Sequence, residues 1–310
     1  FGSRQVLAHF AVPNASPCPF AAVLAGVSLL LPRMGPVKFD DIPKVANEVL
    51  SDDYQVSGYV FKAKQKTSWA GAVLTSQVDL FGDKDCATPA KLAWKLPAPL
   101  GVGAINIDKL EIDKAGKYKL EASSDKAYPG LKIECKSDLA DVSKVVVGCT
   151  YSGLPKAAIK LETKATKPQD FTGELTYAAA PFATCGVKFS SALLSGGLPD
   201  FGVRFLHGPF FGSLLAKDKL GTFTAHCFYK ATPDVKCAAT YTYGGKANGA
   251  CSLGVSYSHK LALCKVKVSQ DQTVCCAVKV PVAKGFTKTC GAKYNIKKGD
   301  YSYGVQLSIE

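Results

Sequence analysis

The stretch Tyr59-Val60-Phe61-Lys62-Ala63-Lys64-Gln65-Lys66 decides the fold. Tyr59, Phe61 and Ala63 alternate with Lys62, Lys64 and Lys66, so successive side chains switch between apolar and cationic. A period of 2 means an extended strand with one greasy face and one charged face. The same parity returns along the chain. Tyr118, Leu120 and Ala122 alternate with Lys117, Lys119 and Glu121, and Leu131, Ile133 and Cys135 with Lys132, Glu134 and Lys136. Ile159, Leu161 and Thr163 alternate with Lys160, Glu162 and Lys164, and Cys264, Val266 and Val268 with Lys265 and Lys267. The last segment sets Tyr301, Tyr303, Val305, Leu307 and Ile309 against Ser302, Gly304, Gln306 and Ser308.

Turn signals such as Pro129-Gly130, Gly244-Gly245 and Lys298-Gly299-Asp300 separate these runs. At ~10 residues per strand plus turns, the chain beyond the N-terminal segment holds roughly 18 to 20 strands. One amphipathic helix precedes them. In Asp40 to Leu50 the apolar residues Ile42, Val45, Ala46, Val49 and Leu50 follow helical spacing, with an Asp expected as N-cap and Pro43 in the first turn.

Composition narrows the class. The 310 residues carry 38 Lys+Arg against 25 Asp+Glu, a formal net charge of +13. The longest apolar run, Phe20 to Leu31, falls short of the ~20 residues that a spanning helix needs, which excludes a helical membrane protein. Twelve cysteines include no CxxC, and eleven remain once Cys18 is set aside, so reduced structural thiols are expected rather than a disulfide framework. The four histidines are scattered, and no GxSxG, P-loop or dinucleotide fingerprint occurs, so neither a metal, nor a cofactor, nor an enzymatic activity is expected. The only Met is Met34. Residues 1–33 are expected to lie upstream of the mature protein, and residues 34–310 to form the functional chain: a helical segment over 34–54 and a barrel over 55–310.

Nearly every strand has one apolar and one polar phase. A soluble sandwich of this length includes fully buried strands, whereas a membrane barrel needs apolar side chains toward lipid and polar ones toward a watery lumen. Lysines lining a lumen set a positive potential that concentrates anions. Aromatics fall on the phase opposite the lysines, which argues against a soluble lysine-rich protein that binds nucleic acid.

The run Phe39-Asp40-Asp41-Ile42-Pro43-Lys44-Val45-Ala46-Asn47-Glu48-Val49-Leu50, the tripeptide Gly130-Leu131-Lys132, and the C-terminal Tyr303-Gly304-Val305-Gln306-Leu307 together resemble the eukaryotic mitochondrial porins, the voltage-dependent anion channels. The resemblance spans residues 34–310. It implies a 19-stranded barrel in the mitochondrial outer membrane, closed by one parallel strand pair, with the helix inside the lumen. It also implies passage of ATP, ADP, phosphate and other small anions, with conductance lowered by voltage. Asn47 and Asp52 stand where animal members carry basic residues, and the glycine-rich hinge is reduced to Gly58.

The expected pore lining and source of anion selectivity is Lys44, Lys62, Lys64, Lys66, Lys117, Lys119, Lys132, Lys136, Lys160, Lys164, Lys265 and Lys267. The resemblance makes Asp108 a candidate membrane-facing acid, since it lies near a membrane-facing Glu of some animal members; a turn or lumen carboxylate is the alternative. The expected partners are anionic metabolites, nucleotides and the lipid bilayer. Self-association into a homo-oligomer stays open, and no specific nucleic acid is expected. A protein-import pore of the same superfamily is the alternative, although a more acidic lumen would suit basic presequences. Neutralising Lys62, Lys64 and Lys66 together is expected to lower the anion preference, read as the reversal potential in a KCl gradient.

Overall fold

The computed structural model describes residues 35–67, 71–79, 90–97, 105–113 and 116–310. The expectations for residues 1–33 and for Met34 as initiator lie outside the described residues, as do Cys18 and Cys86.

Period-2 sequence becomes strand throughout. The first nine are β1 (Gly58–Lys66), β2 (Val73–Asp79), β3 (Ala90–Leu96), β4 (Asn106–Asp113), β5 (Tyr118–Tyr128), β6 (Leu131–Asp138), β7 (Asp141–Leu154), β8 (Ala157–Lys164) and β9 (Lys167–Ala180). They continue as β10 (Ala183–Ser190), β11 (Asp200–His207), β12 (Phe210–Lys217), β13 (Thr222–Lys230) and β14 (Val235–Gly244). The wall ends with β15 (Cys251–His259), β16 (Ala262–Ser269), β17 (Thr273–Ala283), β18 (Phe286–Asn295) and β19 (Tyr301–Ile309). These nineteen strands of the described residues form one sheet, each antiparallel to the next. The sheet closes where β1 runs parallel to β19, from Gly58 opposite Gly304 to Ala63 opposite Ile309. Closure pairs the backbone of both end strands, so neither offers an open edge to hydrocarbon.

The apolar phase faces outward. Cys237, Val255, Val266 and Cys276 stand in one cross-strand row, and Val255 and Val266 are 45% and 46% exposed. Leu253, Tyr257, Phe201, Val203 and Leu214 are likewise exposed on this surface. A soluble protein would hide so much contiguous apolar area, whereas acyl chains solvate it. The ten described cysteines, Cys135 to Cys290, are free thiols. No helix among the described residues is long and apolar enough to cross a membrane.

The N-terminal segment occupies the lumen in two pieces, where the periodicity predicts one helix. Phe39–Asp41 forms a 3₁₀ turn, and a seven-residue α-helix, α1, runs over Lys44–Leu50 with Pro43 at its boundary. No Asp caps it: Asp40 turns to Lys188 at 3.1 Å and Asp41 to Lys44 at 3.8 Å. A helix this short is unstable alone in water and depends on packing. Ala46, Val49 and Leu50 pack on Ala238 and Phe228, while Phe39 and Ile42, both 0% exposed, pack on Leu215.

Glycines make the close approach feasible. A Cβ on Gly202 would lie 2.6 Å from Ile42 Cδ1 and 2.9 Å from Leu215 Cδ2, and one on Gly304 would lie 2.7 Å from the Ser57 amide nitrogen. Gly304, part of the C-terminal motif, thus seats the linker between α1 and β1 against the closing strand.

Burying Phe39 and Ile42 stabilises the docked segment by about 1.5–3 kcal/mol each. Gly202→Val, which intrudes on both, is expected to raise the rate of trypsin cleavage after Lys38 and Lys44 at least tenfold while far-ultraviolet circular dichroism stays that of the parent barrel. Unchanged cleavage would show that this contact does not hold the segment.

Candidate functional site: the pore lining

The lumen-facing phase is fixed by the residues that meet the N-terminal segment. Gly254 packs on Leu50, and directly across from it in successive strands stand Lys267, Cys275 and Lys293. Gly304 meets the linker, and Lys62 shares its phase, paired with Ser308 and Gln77. Lysine-bearing faces therefore border the water column, and their apolar neighbours face lipid.

The lysines fall into two electrostatic classes. From β3 to β10 they alternate with carboxylates in one continuous chain of ion pairs. Lys95 and Lys132 lie 3.9 and 3.7 Å from Asp108. Glu134 bridges Lys132 (2.9 Å) and Lys136 (3.9 Å), and Glu162 bridges Lys136 (2.8 Å) and Lys160 (3.1 Å). Glu174 bridges Lys160 (3.9 Å) and Lys188 (3.2 Å), and Lys188 ends the chain on Asp40 of the N-terminal segment. Five lysines meet five carboxylates, so this belt carries no net charge.

The wall from β14 to β1 differs. Among the described residues, Lys62, Lys236, Lys267 and Lys293 form no ion pair, although they share the lumen-facing phase. Lys267 Nζ lies 5.8 Å from the centre of the Tyr54 ring. The linker brings an acid to this side: Asp53 accepts from Lys279 at 3.1 Å and from Lys265 at 3.3 Å. Burial opposes ionisation of Asp53, but the Lys279 hydrogen bond and the charges of Lys265 and Lys279 outweigh it and hold the carboxyl below its ordinary value. The Tyr54 hydroxyl donates to the Val49 carbonyl at 3.1 Å, and burial chiefly pushes its pKa up to about 12.

Some expected residues take other places. Lys265 is only 6% exposed, and its ammonium donates to the carbonyls of Glu48 (2.6 Å) and Asp52 (3.1 Å). It caps the negative end of α1 instead of lining the water column. Asp108 takes the lumen alternative and joins the belt instead of the lipid face, because a register irregularity between Ile107 and Lys109 breaks the alternation there. Lys117 stands exposed ahead of β5, outside the wall. Lys44 projects from α1 toward Asp41, Lys64 pairs with Glu310 at 3.2 Å, and Lys164 with Asp170 at 3.2 Å. Lys119 stands opposite Glu111 and Asp138, and Lys66 opposite Val73 at a strand end. Lys95, Lys188, Lys236, Lys279 and Lys293 also face the lumen and are absent from the expected lining, although they sit on the polar phase of their strands. For Asp53, which lies outside any periodic run, no sequence signal existed. Among the described residues no group of three His, Cys, Asp or Glu could hold a metal ion.

A family model described as eukaryotic porin matches residues 35–304. No curated protein matches the sequence. Among solved structures, a mutant porin of Rhodopseudomonas blastica is 8% identical, with 65% of this chain and 91% of that one covered at TM-score 0.44. A triple mutant of the same porin is 7% identical, with 81% and 94% covered at TM-score 0.43. A structure described as "Asymmetric conductivity of engineered proteins" is 8% identical, with 81% and 96% covered at TM-score 0.45. Since the family match runs from the segment inside the lumen into the strand that closes the wall, this chain belongs to the eukaryotic porin family.

Proposed function

We propose that this porin is an anion-selective, voltage-gated channel of the mitochondrial outer membrane that passes ATP, ADP, phosphate and other small metabolites. The observation that carries the selectivity is the unpaired cation set Lys62, Lys236, Lys267 and Lys293 on one side of the lumen, facing a belt that is neutral. Unpaired lysines in a water-filled passage raise the local anion concentration and repel cations. Belt lysines, each within 4 Å of a carboxylate, contribute little net field, so selectivity resides in the β14-to-β1 wall. The same excess of positive charge argues against a conduit for basic presequences.

Voltage sensitivity fits the attachment of the N-terminal segment. The segment is tied to the wall at Asp40 and Asp53, so displacing it separates charges within the transmembrane field. Each elementary charge moved through 100 mV changes the balance by ~2.3 kcal/mol, enough for a few such groups to shift the equilibrium.

Conductance in planar bilayers tests both readings. Lys62→Gln with Lys267→Gln is expected to lower the anion-to-cation permeability ratio at least twofold in a KCl gradient, while Lys136→Gln with Glu162→Gln leaves it near the parent value. Equal effects would refute the division of the lumen. Asp53→Asn is expected to move the closing voltage toward zero, because it loosens the linker. Acidification should act in the same direction: a carboxyl held below its ordinary value stabilises docking above the ordinary carboxylate range, and that contribution is lost as pH falls through the lowered value. A closing voltage indifferent to both changes would exclude the Asp53 tether from gating.

A further inference from the structure

Between the two apolar contacts that hold the N-terminal segment lies a row of polar side chains. Thr184, Arg204, Ser213 and His226 are direct cross-strand neighbours on β10, β11, β12 and β13. One step along the wall in one direction is the level of Gly202 and Leu215, covered by Phe39 and Ile42. One step the other way is the level of Phe228 and Ala238, covered by α1. The four residues are 0%, 8%, 4% and 8% exposed. In each a buried side-chain atom lacks a hydrogen-bond partner: Thr184 Oγ1, Arg204 Nε, Ser213 Oγ and His226 Nδ1.

Arg204 matters most. Its Nη2 donates to the Gly35 carbonyl at 2.8 Å, but among the described residues no carboxylate lies within ion-pair distance. Asp41 acts on it only through space and makes its own pair with Lys44. A buried guanidinium without a counter-charge is unfavourable, and orphaned hydroxyls add to that. A guanidinium between two hydroxyls is a set of donors suited to an oxygen-rich anion, and Arg is the side chain best matched to phosphate geometry.

We propose that this row is a buried site for a small oxyanion, free phosphate or sulfate, that is roofed by residues 35–43 and fastens the N-terminal segment to the wall when filled. The anion sits against Arg204, with Thr184 and Ser213 on either side and His226 beyond Ser213. The site is distinct from the unpaired lysines assigned to selectivity, and it stands or falls without them.

Equilibrium dialysis of labelled inorganic phosphate against the full chain in detergent micelles, over a chloride background, tests the proposal. Saturable binding is expected, competed by sulfate but not by AMP, whose nucleoside is too large for a roofed site. Arg204→Gln should weaken it at least tenfold and Arg204→Lys by less. Ser213→Ala, a smaller change that serves if the arginine variant fails to fold, should weaken it several-fold. Phosphate should also slow trypsin cleavage after Lys38 in the parent and not in Arg204→Gln. Absence of saturable binding, equal competition by AMP, or binding within twofold of the parent in both Arg204→Gln and Ser213→Ala would overturn the site. The variant Lys62→Gln with Lys267→Gln separates the two assignments: it should shift the reversal potential and leave phosphate binding unchanged. Loss of phosphate binding in that variant would assign the anion to the open lumen and overturn the roofed site.

Discussion

The hydrogen-bond ladder between β1 and β19 is the constraint on which the rest of the molecule depends. In a sheet where every strand reverses its predecessor, nineteen strands leave the first and last pointing the same way, so the closing pair must be parallel. An even number would close antiparallel. The parallel pair is slightly weaker per residue, but an open edge in hydrocarbon would leave several amides and carbonyls unpaired at several kcal/mol each. Closure therefore dominates, and it fixes the linker as well. The chain must leave α1, cross the lumen and enter β1 beside β19, which is where Gly304 lets Ser57 approach.

Closure converts a one-dimensional alternation into two surfaces with opposite solvents. Once the register is set, each residue's parity decides whether it meets acyl chains or water, and a slip by one residue would exchange them. The uniform parity of Val255, Val266 and Cys276 outward and of Gly254, Lys267 and Cys275 inward follows from that single condition. Alternation fails between Ile107 and Lys109, and there an acid, Asp108, joins the lysine-bearing face.

Much of this was legible in the sequence. Period 2, the turn signals and the amphipathic run after Met34 are local properties, and they carry strand, turn and helix directly. Long-range register is not local. Lys265 reads in sequence like Lys267, yet one caps α1 and the other faces water, because α1 ends above β16 at that height. The row from Thr184 to His226 was invisible for the same reason: its members lie 9 to 20 residues apart in sequence and become neighbours only through three successive registers. Pro43 splits the helical run, since a proline inside it removes a backbone donor and favours a boundary.

The two halves of the lumen also explain why the N-terminal segment rests where it does. Its apolar face needs small and apolar neighbours, and β10 to β14 supplies them through Gly186, Gly202, Leu215 and Ala238. Its acids need cations at both ends, and they find the last lysine of the neutral belt at Asp40 and the first cations of the opposite wall at Asp53. The segment thus spans the boundary between a balanced wall and a positive one. Moving it would uncover Lys188, Lys265 and Lys279 together, so the charge that lines the pore and the position of the segment are coupled variables, and any change in one alters the electrostatic cost of the other.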